Sequence, residues 1–329
     1  MKINTNHLIC VLFIVVFCIS SCDNDEVAGP SNSSGPITFT YSPIDTSKIS
    51  QATPLGNINP PGHTFPTDHI YFYLNDPNLV VVRAVAGGTI RSIYHNAWSN
   101  DYRIEFKHTE TFYSYFDHIK NLPAGVVQGA TVQGGDLIGY GDRSVSAVDL
   151  GVIDYDSTRH FIVPARYHEF SLHCGDPYRY FSDEVRTALL TKNHRTVEPR
   201  GGKIDFDCDS TLSGNWFLEG TPIAQASSIT YSSNHLAFVY DMFESSQIRI
   251  TAGGTLNLAP FNYRVNGNTP NPRNVTMASG LVKYEFTTTP TAVLLVQMVN
   301  AQKIQVEVFL NKTKTQVSSF TASAQMYVR

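Results

Sequence analysis

Gly129-Ala130-Thr131-Val132-Gln133-Gly134-Gly135-Asp136-Leu137-Ile138-Gly139 places four glycines among short apolar steps, followed by a second strand-like run at Val148-Asp149-Leu150-Gly151-Val152. Glycines at such intervals supply the positive backbone angles that tight corners of a small β-barrel require. Upstream, Val85-Ala86-Gly87-Gly88-Thr89-Ile90 has the same character. Its Gly87-Gly88 pair predicts a hairpin turn between Val80–Ala86 and Thr89–Tyr94. Tyr102–His108 and Thr111–Phe116 predict a second antiparallel pair. Ser182-Asp183-Glu184 opens the one convincing helix, running to Leu190, because serine caps well and two acids suit the positive end of the helix dipole.

Composition agrees with a β-rich, extracytoplasmic chain. Charged residues are 16% of 329, with 22 glycines and 17 prolines, a turn-rich balance. A net charge of −4 lacks the clustered basic surface of a nucleic-acid binder, so no nucleic-acid partner is expected. Residues 1–21 form a targeting segment: Lys2, then the apolar run Leu8–Ile19, shorter than the ~18 residues that span a bilayer. It ends Ile19-Ser20-Ser21-Cys22, which resembles the lipobox of bacterial lipoproteins. That resemblance implies cleavage before Cys22 and lipid attachment to it, with membrane contact through the lipid alone. The expected location is the bacterial cell envelope. Cleavage leaves 23 basic against 28 acidic side chains. Residues 22–36 are small and polar and read as a flexible tether.

Residues 37–204 and 205–329 read as two all-β domains, the second an antiparallel sandwich or barrel with strands such as His235–Tyr240, Ala292–Val299 and Lys303–Leu310. Gly214-Asn215-Trp216 is similar to the Gly-x-Trp of lipocalins, where the indole plugs a barrel end. Cys174 and Cys208 remain in the mature chain and are expected to pair as a disulfide. A zinc site of His168, His173, Cys174 and Cys208 is the rival reading.

Over residues 55–156 the chain resembles the catalytic domain of the lysostaphin/LytM-type zinc endopeptidases, a duplicated hybrid motif barrel that cuts peptidoglycan cross-links. The glycine-rich stretches match the family's Ala-x-x-Gly-x-Val and Gly-x-x-Val-x-x-Gly-x-x-Ile-Gly. Lipoyl and biotinyl carriers share this lettering, but the hairpin at Gly87-Gly88 carries no lysine to modify. The resemblance assigns His63 and Asp68 to the metal, with a spacing one residue longer than the family's His-x-x-x-Asp. It places His118 and Asp149 at catalytic positions. His69, next to Asp68, is expected on the opposite face if the strand already includes Asp68.

Three departures fall together. The His–Asp loop is lengthened, Phe116 replaces the tyrosine of Tyr-x-His-Leu, and Asp149-Leu150-Gly151 replaces His-Leu-His. Catalytic zinc uses three protein ligands and an open water position, and hydrolysis also needs a base. Glycine supplies neither, so zinc is expected to be absent or weakly bound. The leading expectation is a lipid-anchored binding module whose peptidase-like groove holds a peptidoglycan peptide, a glycan or an envelope protein. The alternative is an active zinc endopeptidase of cross-links using His63, Asp68 and Asp149, with His118 as acid/base. A third is a structural envelope protein with a disused groove.

Overall fold

The computed structural model describes residues 37–144, 147–256, 258–265, 269–286 and 291–329. The leader, Cys22 and the tether lie outside them. No helix among the described residues is long and apolar enough to cross a membrane.

The N-terminal half is built on β1 (Ile49–Thr53), β2 (His69–Leu74), β3 (Val80–Arg83), β4 (Gly88–Asn96) and β5 (Asp101–Lys107). It continues with β6 (Phe112–Ile119), β7 (Thr131–Val132), β8 (Leu137–Gly141), β9 (Val148–Asp154) and β10 (Cys174–Gly175). The main sheet runs β1-β2-β9-β6-β5-β4-β7, with β10 also on β9, while β3 and β8 form a separate two-stranded sheet. Along β2, β9 and β6, alternation sends Ile70, Leu150 and Phe116 into the core and leaves His69, Gly151 and Tyr115 abreast on the other face. That second face carries the site.

The Tyr102–His108/Thr111–Phe116 pairing is present as β5 with β6. The hairpin expected at Gly87-Gly88 is not: β3 pairs with β8, and β4 pairs with β5 and β7. Hydrogen bonds between Ala84 and residues 135–136 hold the chain to β8 up to this point, so the glycines carry it from one sheet to the other. Gly135, at φ 89°, lies under the Tyr41 ring, which a Cβ would meet at 2.8 Å. Helix α1 (Glu169–Leu172) and α2 (Pro177–Tyr180) precede α3 (Asp183–Leu190), which starts after Ser182 as expected, although the serine hydroxyl makes no cap bond.

The C-terminal half is an up-and-down meander: β11 (Gly214–Leu218), β12 (His235–Tyr240), β13 (Ile248–Ala252), β14 (Phe261–Arg264), β15 (Leu281–Phe286), β16 (Ala292–Asn300), β17 (Lys303–Leu310) and β18 (Gln325–Val328). Its order is β14-β13-β12-β11-β18-β17-β16-β15, so β18 returns to β11 and the sheet curls into a nearly closed barrel. At the seam between β14 and β15, Tyr263 stacks on Phe286 with ring centroids 4.4 Å apart. Trp216 is fully buried where β11 starts and β18 finishes. Its indole donates to the Leu212 carbonyl, and the Arg329 guanidinium covers it 4.1 Å from the ring.

The halves are joined by buried polar contacts. Thr251 on β13 donates to the Thr64 carbonyl at 2.6 Å, and Asn262 on β14 donates to the Ile58 carbonyl at 3.1 Å. Phe65 stacks on His235 at 4.1 Å. The barrel therefore clamps the loop that carries His63.

The Cys174–Cys208 disulfide is not formed: Cys174 is a free thiol buried in the first core. It sits on β10, paired with β9, and its Sγ faces the Asp68 carbonyl at 3.4 Å. Burial pushes this thiol well above its usual range. The rival Cys/His zinc site does not gather either. His168 Nδ1 accepts from the Phe170 N–H, and His173 Nδ1 bonds the Ser157 carbonyl at 2.7 Å.

Candidate functional site

Five side chains alternate acid and imidazole across β2, β9, β6 and the start of β5. His69 Nδ1 lies 3.0 Å from Asp68 Oδ1, and His69 Nε2 lies 3.4 Å from Asp149 Oδ2. On the other side of Asp149, His118 Nε2 stands 3.7 Å away, and His118 Nδ1 is 2.8 Å from Asp101 Oδ2. Asp101, His69 and Asp149 are buried, and His118 is nearly so. A carboxylate on each Nδ1 fixes the two rings with their Nε2 atoms turned towards Asp149.

Local backbone explains why neighbours in sequence share this face. β2 begins at His69, so Asp68 lies before the strand and is not bound by its alternation. Asp68 and His69 therefore converge; the opposite-face expectation applied only to a strand that already included Asp68. In β6 the register against β5 shifts between Tyr102 and Ile104, and His118 takes φ 63°. This bulge lets Asp117 and His118 both reach the site. Asp117 accepts two bonds from Arg103, at 2.9 and 2.6 Å, and one from Asn96 at 2.9 Å.

The space beside Gly151, where the sequence resemblance expects a histidine, is closed. Gly151 lies between His69 and Tyr115 in register, and a Cβ on it would meet the Tyr115 ring at 2.1 to 2.4 Å. The ring fills that space, stacked on Phe170 at 5.0 Å with Arg103 4.9 Å over its face. Its hydroxyl donates to Asp68 Oδ1 at 3.1 Å. Ser171 donates to Asp68 Oδ2 at 2.8 Å. With His69 this gives Asp68 three protein donors, enough to commit both oxygens.

Ionisation follows from these contacts. Burial opposes charge on Asp68, but His69, Ser171 and Arg103 together hold it below the usual carboxylate range. Burial keeps Tyr115 far above the usual phenol range, reinforced by the Asp68 charge, so it remains a neutral donor. Asp149 is pushed up to about 6 by burial, against the pull of His69 and His118. Burial disfavours the His69 imidazolium, yet Asp149 and Asp68 outweigh it and raise the imidazole.

His63 does not join the cluster. Its ring is exposed at the rim, 5.7 Å from that of His69, and among the described residues no hydrogen bond or ion pair joins it to Asp68. Phe116 faces the core, edge-on to Phe106. Tyr115, one residue earlier, supplies the hydroxyl on the site face. Among the described residues, the one group of three ligating side chains within 4.8 Å is Asp101, Asp117 and His118, and its carboxylates are already bonded by Asn96, Arg103 and His118. Of the residues assigned by resemblance to zinc, Asp68 has both oxygens hydrogen-bonded and His63 makes no bond to it; Asp149 is buried 3.4 Å from His69 Nε2, and Gly151 offers no ligand atom.

From the cluster a groove of about 760 Å³ runs to the junction of the two halves. Ser92, Tyr94 and Asn96 form one wall from β4, and Asn215, Ser227 and Ile229 stand on the other. Sequence reasoning missed Arg103, Tyr115, Asp101 and the working role of His69. The period-two spacing of Tyr115 and Asp117 was the available signal.

No protein-family model matches the chain, and no curated protein matches it. Among solved structures, the chain is similar to a zinc-containing peptidase from Vibrio cholerae, at 15% identity and TM-score 0.30, over 37% of this chain and 38% of that one. It is similar to the catalytic domain of the antimicrobial peptidase lysostaphin from Staphylococcus simulans, at 14% identity and TM-score 0.28, over 33% and 84%. It is also similar to the SpoIIIAH and SpoIIQ complex, at 15% identity and TM-score 0.28, over 36% and 93%. The chain thus spans well under two thirds of the Vibrio cholerae peptidase.

Proposed function

We propose that this protein is a binding module of the bacterial cell envelope, anchored through lipid on Cys22, whose peptidase-like groove holds a partner without hydrolysing it. One observation carries the reading: both Asp68 oxygens are engaged, by His69, Tyr115 and Ser171, while the Tyr115 ring fills the space over Gly151. Metal-assisted hydrolysis needs an activated water and a base on a shared centre. Here Asp68 is hydrogen-bonded to His69, Tyr115 and Ser171, and Asp149 lies between the two imidazoles, 3.4 Å from His69 Nε2 and 3.7 Å from His118 Nε2. The groove remains, and its volume suits a small molecule or a few residues of a polymer.

Sedimentation with purified peptidoglycan tests this. The mature protein is expected to co-sediment and release no soluble fragments, and His63→Ala at the groove rim weakens the association. Fragment release that depends on added zinc would overturn the reading.

A further inference from the structure

We infer that the groove takes a neutral carbohydrate chain, stacked on Tyr94 and Trp98. The inference rests on the binding reading above and names the chemistry of the ligand. Its first support is an unusual exposure of flat rings. Trp98 is 82% exposed and Tyr94 64%, although the same domain buries Phe39, Phe72, Phe106 and Phe116 almost completely. Both rings belong to the β4–β5 hairpin. Tyr94 is paired with Arg103 in register and so shares the groove face. Trp98 stands at the hairpin tip, edge-on to His118 at 6.1 Å. Aromatic faces left in water beside a groove are surfaces awaiting an apolar partner.

The second support is the charge balance of the walls. Arg103 is committed to Asp117, and Asp68 to its three donors, so the floor offers neither for a charged terminus or a phosphate. Glu105 lies within electrostatic range of Arg91. Beside the Glu105 carboxylate, what remains is hydroxyl, amide and imidazole: Ser92, Ser227, Ser228, Asn215 and His168. Flat rings to stack against C–H faces, with uncharged donors and acceptors around them, match a sugar chain. A charged peptide would leave its ends unpaired here.

Calorimetric titration of the mature protein with chitotetraose and with maltotetraose tests the inference. At least one is expected to bind saturably. Tyr94→Ala and Trp98→Ala should each weaken it about tenfold, and Trp98→Phe should restore most of the loss. Both rings are exposed, so thermal melting of these variants should match the parent. Trp216, the other tryptophan, is buried in the barrel, so a ligand-induced change in tryptophan emission reports Trp98. Failure of both sugars to bind below about 10 mM overturns the inference, as does unchanged affinity in the two alanine variants. Saturable binding of a cell-wall peptide alone, lost in Ile229→Asp, rejects the carbohydrate and keeps the binding reading. Zinc-dependent hydrolysis rejects the binding reading whatever the sugars do.

Discussion

Gly151→Ala should be among the most damaging small substitutions in this protein, and the cause should be one ring. A methyl at this position would lie 2.1 Å from Tyr115 Cζ, 2.2 Å from Cε1 and 2.4 Å from the hydroxyl oxygen. The ring cannot swing aside, because Phe170 stacks on it, Arg103 lies against it, and its hydroxyl is bonded to Asp68. Overpacking of this kind costs about 1–3 kcal/mol, and a clash with three atoms of a held ring belongs near the upper end. Tyr115→Ala alone should cost about 4 kcal/mol, as for other buried aromatics. Independent effects would bring the double variant to about 7 kcal/mol, but without the ring there is no clash, so it should fall near 4 kcal/mol. Urea unfolding at constant m-value reads all three differences. A Gly151→Ala protein within about 0.5 kcal/mol of the parent, or strict additivity in the double variant, would refute the reasoning.

Other consequences follow from the same contacts. Asp149 has its folded value raised to about 6 by burial, so it favours folding in the protonated form. That stability is present below the unfolded carboxylate range and is lost as pH rises through about 6. Asp149→Asn should flatten this part of the pH–stability curve by about 3 kcal/mol, and an unchanged slope would contradict the assignment. Thr251→Val removes the bond to the Thr64 carbonyl and leaves a buried acceptor unpaired. It should cost about 1–3 kcal/mol and raise amide exchange in residues 57–67, whereas unaltered exchange would argue against the clamp. Cys174 is buried with its thiol pushed up, so it should resist thiol reagents until the chain unfolds. Rapid labelling of the native protein would count against its placement.

The barrel frame was legible because its glycines and alternating apolar residues act locally. Gly129 to Gly139 and the β5–β6 pair needed nothing but chain geometry to be read. The Gly87-Gly88 turn was misread for a complementary reason. A glycine pair marks a change of direction, but which strand then pairs is decided by contacts such as that of β3 with β8, distant in sequence. The site divided along the same line. That Gly151 lacks a ligand is visible in the letters. That Tyr115 occupies its space, and that Asp68 is tied to Ser171, depends on register and on a helix about a hundred residues away. The Cys174–Cys208 pairing failed similarly: cysteines pair only where the fold brings them together, and β10 holds Cys174 as a free thiol inside the first core.

Zinc stoichiometry is the most direct test. The mature protein, stripped with chelator, loaded with zinc and dialysed, should retain far less than one equivalent by elemental analysis, and Tyr115→Phe should leave that result unchanged. One tightly held zinc per chain, lost in Asp149→Ala, would contradict the account and return the groove to hydrolytic chemistry.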